Sequence, residues 1–258
     1  MTEALHTLVA GLIDYAGLFP PAELEMAEAQ RKYASYAAGE HAWVLGRFIV
    51  PAAQLDEVEP SWKCSVIGIP TRVVDSCEIK VPTARELPSV PPGVIAYYEL
   101  PIAEDPAPLA GTRARAKIRT GGLTPDAFPS SAALARFLAR CAAARVPFKA
   151  TAGLHHPLRS IQRCTYDAES PTALMHGFVN VFLAAAHLWH GGTEAAAVAT
   201  LEEQSAGTFA WDDGGVAWHG QRLTVEQVRT AREQFAISFG SCSFEEPLHD
   251  LRQLGWLS

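Results

Sequence analysis

Long hydrophobic runs are missing from this chain of 258 residues: the longest apolar stretches, such as Val179–Ala186, fall far short of the ~20 residues a membrane helix needs. Clusters of Lys and Arg are missing too, and the formal net charge is −7. No basic face is therefore expected to meet a nucleic-acid backbone, and neither nucleic acid nor membrane is an expected partner. Cysteine is sparse. Cys64, Cys77, Cys141, Cys164 and Cys242 form no CxxC or CxxH pair, which fits free thiols in a reducing cytoplasm. The opening MTEALHTLVAGLID is acidic, not basic, before its apolar part, so no secretory leader is expected and the expected location is cytoplasmic. The GxGxxG of dinucleotide folds, the GxSxG elbow and the HExxH metal helix are all absent.

Lysine is the scarcest of the charged residues. Of 21 basic residues only Lys32, Lys63, Lys80, Lys117 and Lys149 are lysine, and the rest are arginine. Each lysine is therefore worth locating.

What is present is a recurring apolar run closed by Pro or Gly: GRFIVP, CSVIGIP, CEIKVP, GVIAYYELP, RAKIRTGG, PFKATAG, HGFVNVF and FAISFGSCS. Helical patterns separate several of them, most clearly Ser130–Ala144, with a serine cap and an Ala/Leu-rich body. Eight continuous apolar runs alternating with helices predict a parallel sheet covered on both faces, and their number predicts a (β/α)8 TIM-type barrel. An open doubly wound sheet is the runner-up. Residues 1–258 read as one domain, with 1–40 as an N-terminal helical segment broken at Gly17 and Pro20-Pro21. A small β-hairpin is expected near 208–219, where DDGG separates two aromatic runs, as an insertion before the last helix-strand unit. HGFVNVFLAAAHLWHG also fits a wholly helical reading.

In such a barrel the chemistry gathers at the C-terminal ends of the strands. The polar residues of the runs fall late in them: Lys80, Glu99, Lys117 with Arg119, and Lys149 with Thr151. Residues two apart share a strand face, so each of the last two pairs points the same way. The expected site is a cationic pocket in which Lys149, Glu99, His155, His156 and Lys117 do the chemistry. Lys80, Arg119, Thr151, Asn180, Gly240, Ser241 and Ser243 are expected to hold substrate, a small anionic compound. Crowded cations and burial would lower the pKa of a lysine there and free its amine. The small residues of SFGSCS are expected to cradle an anion on backbone N–H groups. Cys242 reads as a small buried thiol, and Asp14 with Tyr15 as a rim or lid element.

The segment FKATAG, Phe148–Gly153, resembles the strand-six segment of class I aldolases of the deoxyribose-phosphate type. The resemblance implies that Lys149 forms a Schiff base with a carbonyl substrate, with Thr151 and Gly153 shaping the turn. That family also uses a lysine on the following strand. This chain has none after Lys149, so the second amine would come from Lys117 or Lys80. The expected activity is lyase or isomerase chemistry on a small carboxylated or phosphorylated carbonyl compound, with no cofactor and no resident metal. Two alternatives stand beside it: a metal-dependent barrel hydrolase using His155, His156 and Glu99, and a non-catalytic anion-binding protein. Monomer or homo-oligomer is left open.

Overall fold

The computed structural model describes residues Met1–Leu257. Seven parallel strands follow one another around a ring: β1 (Ile13–Tyr15), β2 (Leu45–Pro51), β3 (Cys64–Ile67), β4 (Ser76–Lys80), β5 (Ile95–Glu99), β6 (Arg115–Arg119) and β7 (Phe148–Thr151). Two antiparallel excursions come next, the hairpin β8 (Ser160–Arg163) with β9 (Thr172–Met175), and a sheet of β10 (Ala210–Asp212), β11 (Gly215–Trp218) and β12 (Gln221–Thr224). β13 (Ala236–Ser241) then closes the ring by pairing with β7 on one side and β1 on the other. The fold is a closed eight-stranded parallel barrel of the TIM type.

The helical layer is uneven. α1 (Glu3–Val9) precedes the barrel and α2 (Met26–Ala37) joins β1 to β2. α3 (Ser131–Ala143) joins β6 to β7, its first turn capped by Ser130 Oγ, which accepts from Ala133 N–H at 3.2 Å. α4 (Phe178–Trp189), α5 (Glu194–Glu202) and α6 (Val225–Gln234) fill the long connection to β13, and α7 (Glu245–Gln253) follows it. From β2 to β6 the connections are loops and short 3₁₀ turns instead. Prolines explain this: Pro82, Pro88, Pro91 and Pro92 crowd one connection, and Pro101, Pro106 and Pro108 another, where each blocks helix continuation.

One strand assignment needs correction. HGFVNVF is not a strand but the start of α4, which is buried nearly all round between α3, α5 and α6. A helix apolar on every side has no amphipathic period to separate it from a buried strand, and only length decides. The missing eighth strand is β1, which the N-terminal helical reading had swallowed. α1 stops at Val9, Gly11 turns the chain with φ +58°, and Ile13–Tyr15 enter the barrel. The expected hairpin near 208–219 is there, extended by β12 into three strands.

Strand alternation divides the side chains cleanly. On β7, Phe148 packs outward against Phe182 and Phe235, with ring centroids 6.2 and 5.0 Å away, while Lys149 faces inward. On β1, Tyr15 stacks outward on Tyr33 and meets Tyr36 edge-on, so Asp14 is turned into the barrel. Tyr15 therefore belongs to the helix-facing core and is no lid. Among the described residues, no helix is long and apolar enough to cross a membrane.

Candidate active site

The barrel interior is built from charge. Lys149 Nζ donates to Asp14 Oδ2 and Glu78 Oε1, both at 2.6 Å. Lys117 Nζ lies 2.8 Å from Glu78 Oε2 and 2.8 Å from Glu99 Oε2. Arg119 Nε donates to Glu99 Oε1 at 3.2 Å. The sequence of signs is Asp14, Lys149, Glu78, Lys117, Glu99, Arg119, each charge flanked by its opposite. Strand register explains the order, because Lys149 pairs across to Lys117, and Lys117 to Glu99.

Neutral hydroxyls complete the ladder. Asp14 Oδ2 also accepts from Ser238 Oγ at 2.7 Å, and Oδ1 from the Arg47 backbone N–H at 2.7 Å. Glu78 Oε1 accepts from Ser65 Oγ at 2.7 Å, which in turn accepts from Ser76 Oγ at 2.9 Å. Gly46 is required beside Asp14, since a Cβ there would run into Asp14 Oδ1. A buried charge is tolerated when it is paired and hydrogen-bonded, and Asp14, Lys149 and Glu78 each have both kinds of partner.

The electrostatics follow from the pairing. Burial alone would push the Glu78 carboxyl up, but Lys149 and then Lys117 outweigh it and hold the group far below the usual carboxylate range. Glu99 is lowered the same way by Lys117 and then Arg119 against its own desolvation. Lys149 reverses the sequence expectation. Burial would lower its pKa, yet Asp14 and Glu78 raise it above the ordinary lysine value. The neighbours of Lys149 are carboxylates and not crowded cations, so its ammonium is held charged.

Above the ladder, at the C-terminal ends of the strands, lies a cavity of about 800 Å³. Lys80, Glu99, Lys117, Arg119, Thr151, Gly240, His155 and His156 line it. Lys149 does not: its side chain is 0% exposed, against 7% for Lys117, which reaches the cavity floor. β7 ends in two successive left-handed residues, Ala152 (φ +61°) and Gly153 (φ +74°), which turn the chain under the cavity wall. Gly153 must be glycine for space as well, since a Cβ would lie 2.9 Å from Gly121 Cα. The hairpin β8–β9 hangs over the opening and contributes Gln162, Arg163 and Met175.

Three expected anion ligands are placed elsewhere. Asn180 sits in α4, where its amide donates to the carbonyls of Thr200 and Glu203 (2.8 and 2.9 Å) and accepts from Arg159 N–H at 2.9 Å. All its polar capacity goes to tying helices together. Ser241 Oγ donates to Ser243 O at 2.7 Å, and Ser243 Oγ accepts from Glu246 N–H at 3.1 Å at the start of α7. These hydroxyls stabilise their own turn, and the loop gives the cavity only Gly240 and Cys242.

Both loop histidines are engaged by α7. His155 Nδ1 is 2.8 Å from Glu246 Oε2, and His156 Nδ1 is 2.6 Å from Asp250 Oδ2. Glu99 is taken up by Lys117 and Arg119, so these three side chains do not converge as metal ligands. Among the described residues, no group of three or more His, Cys, Asp and Glu is arranged to hold a metal ion. Burial alone would lower the His155 pKa, but its contacts with Cys242 and Glu246 raise it to about 10.

Glu78 and Asp14 are the ladder residues that sequence reasoning missed. Glu78 was within reach: it lies two residues before Lys80 and so shares its strand face. Asp14 was hidden by the helical reading of Ile13.

The site sets a pH dependence of stability. Glu78, Glu99 and Glu246 all lie below their ordinary value of 4.5, so their contribution is full above 4.5 and lost as pH falls through the lowered folded values. His155 rises from 6.5 to about 10, so its contribution is full below 6.5 and lost as pH climbs toward 10. The His155–Glu246 contact is one interaction and counts once. Burial holds His176 down at about 4 and His187 below its usual value, so their contribution is full above 6.5 and lost as pH falls below it. Urea midpoints should therefore peak near pH 6.5 and fall on both sides. A midpoint that rises from pH 6.5 toward 10 would contradict the His155 pairing.

The alternating charge ladder thus lies directly under a cavity at the C-terminal mouth, the end of a TIM-type barrel where sites are built. No family model, no curated protein and no solved structure matches the chain.

Proposed function

We propose that this protein is a lyase of the aldolase kind, which acts on a small carboxylated or phosphorylated carbonyl compound through the amine of Lys117. The observation that carries the reading is the placement of Lys117: an inward-facing lysine on the cavity floor, with its amine between two carboxylates. The resemblance of FKATAG to class I aldolases implies a Schiff-base lysine on strand six and a second lysine on the next strand. Counted around the barrel from β1, Lys117 is on the sixth strand and Lys149 on the seventh. FKATAG is thus the seventh strand, and its resemblance does not reach Lys117; what favours Lys117 as the reacting amine is its place on the cavity floor, with Lys149 sealed below as its buried companion.

The chemistry needs a free amine, and the ladder suggests how one arises. Arg119 is half exposed and reaches Glu99 from the cavity side. An arriving carboxylate or phosphate competes for that guanidinium, since arginine pairs readily with both. Once Arg119 turns to the substrate, Glu99 loses a cation and becomes the better base for the Lys117 proton 2.8 Å away. The neutral amine adds to the carbonyl carbon, water leaves, and the resulting protonated imine draws electrons from the neighbouring carbon–carbon bond. His155, on the cavity wall, is placed to move the accompanying protons.

The test is chemical trapping. The protein is incubated with a panel of small anionic aldehydes and ketones, reduced with borohydride and weighed intact. At least one compound should leave one covalent adduct per chain. Binding of these compounds with no adduct from any of them would favour the anion-binding alternative and end the imine reading.

A further inference from the structure

A second reactive constellation sits on the wall of the same cavity. Cys242, in the turn between β13 and α7, places Sγ 3.9 Å from His155 Nε2. The other ring nitrogen of His155 is held at 2.8 Å by Glu246 Oε2. Tyr166, from the turn of the β8–β9 hairpin, brings its hydroxyl to 3.4 Å from the same sulfur. Cys242, His155, Glu246 and Tyr166 all line the cavity. A thiol against one imidazole nitrogen, with a carboxylate orienting the other, is the arrangement that activates a sulfur nucleophile. Sequence spacing could not show it, because 87 residues separate His155 from Cys242.

We propose that Cys242, His155 and Glu246 form a nucleophilic relay in which the Cys242 thiol adds to an aldehyde carbon held in the cavity. With His155 held as the imidazolium, the thiol's proton already rests on Nε2, and the ion-paired sulfur uses its electron pair to bond the carbonyl carbon. The carbonyl oxygen takes that proton back from the imidazolium, which leaves a hemithioacetal; no oxidant or co-reactant enters. Glu246 is a positioning residue that holds the imidazolium, and the Tyr166 hydroxyl borders the sulfur. The aldehyde as substrate class rests on the proposed function above, but the activated thiol does not.

The chain supplies its own control. Cys164 also lines the cavity and is about as buried as Cys242, at 5% against 6% exposure, and no histidine contact to it is recorded among the described residues. Burial raises the Cys164 thiol above its ordinary value, as it does for Cys64 and Cys77, both pushed up to about 11. The groups facing Cys242 are His155 from the loop after β7, Glu246 from α7, Tyr166 from the hairpin and Tyr15 from β1.

The experiment is iodoacetamide labelling of the full chain under native conditions, with each cysteine quantified by peptide mass spectrometry. Cys242 should react about ten to a hundred times faster than Cys164, and its rate should hold as pH falls toward 6 while that of Cys164 drops. His155→Gln should erase both the rate advantage and the flat pH profile, with labelling done well below the variant's melting temperature because the change also removes the His155–Glu246 pair. If His155→Gln melts early, Glu246→Gln is the second variant, expected to slow Cys242 without touching Cys164. Equal rates at the two thiols, or a Cys242 rate indifferent to both variants, would overturn the relay. Borohydride trapping reads lysine alone, so either idea can fail without the other.

Discussion

Lys149→Met should cost the fold about 3–5 kcal/mol, because it removes the cation between two buried carboxylates and leaves them facing one another. Asp14 keeps only Ser238, the Arg47 backbone and a guanidinium at 3.8 Å, and Glu78 keeps Lys117. For a chain of this length a loss of that size lowers the melting temperature by roughly 6–20 °C. Lys80→Met is the matched control. Lys80 is exposed at the rim of the cavity, and the same substitution there should change stability by no more than about 0.5 kcal/mol. Thermal melts of the two variants side by side decide the matter. A Lys149→Met protein that melts like Lys80→Met would mean the buried ladder does not hold the barrel together.

Lys117→Arg should remove turnover by about ten-thousandfold or more while leaving the melting curve nearly unchanged. Arginine preserves the charge facing Glu78 and Glu99 and has cavity space to extend into, but it cannot lose its proton at accessible pH. The substitution thus separates the amine as nucleophile from the amine as counter-ion. Turnover is measured on whichever carbonyl compound gives the strongest trapping. Substantial residual activity would show that Lys117 only neutralises its two carboxylates.

Much of this was readable from one sequence, for identifiable reasons. Seven of the strands announce themselves as short apolar runs ended by Pro or Gly, and the lysines stand out because the chain otherwise uses arginine. Strand parity then places Lys117 with Arg119, and Lys149 with Thr151, on inward faces. The failures have physical causes too. β1 is only three residues long and follows a helix after a brief turn, so no periodicity could develop. α4 is buried on every side and carries no amphipathic stripe. Register was out of reach: only the closed barrel shows that Lys149 is fenced by Asp14 and Glu78, which inverts the direction of its pKa. Parity alone could have flagged Glu78 beside Lys80, and it was the hub residue that went unread. The Cys242–His155–Glu246 contact joins two distant loops and leaves no local trace.

The central claim is that the reacting amine belongs to Lys117 and not to the sealed Lys149. Peptide mapping of the borohydride-reduced adduct tests it most directly. The account predicts that the added mass sits on Lys117, with Lys149 unmodified in the same sample. An adduct on Lys149 would contradict it, since it would require the ion pairs with Asp14 and Glu78 to open and admit substrate beneath the cavity floor.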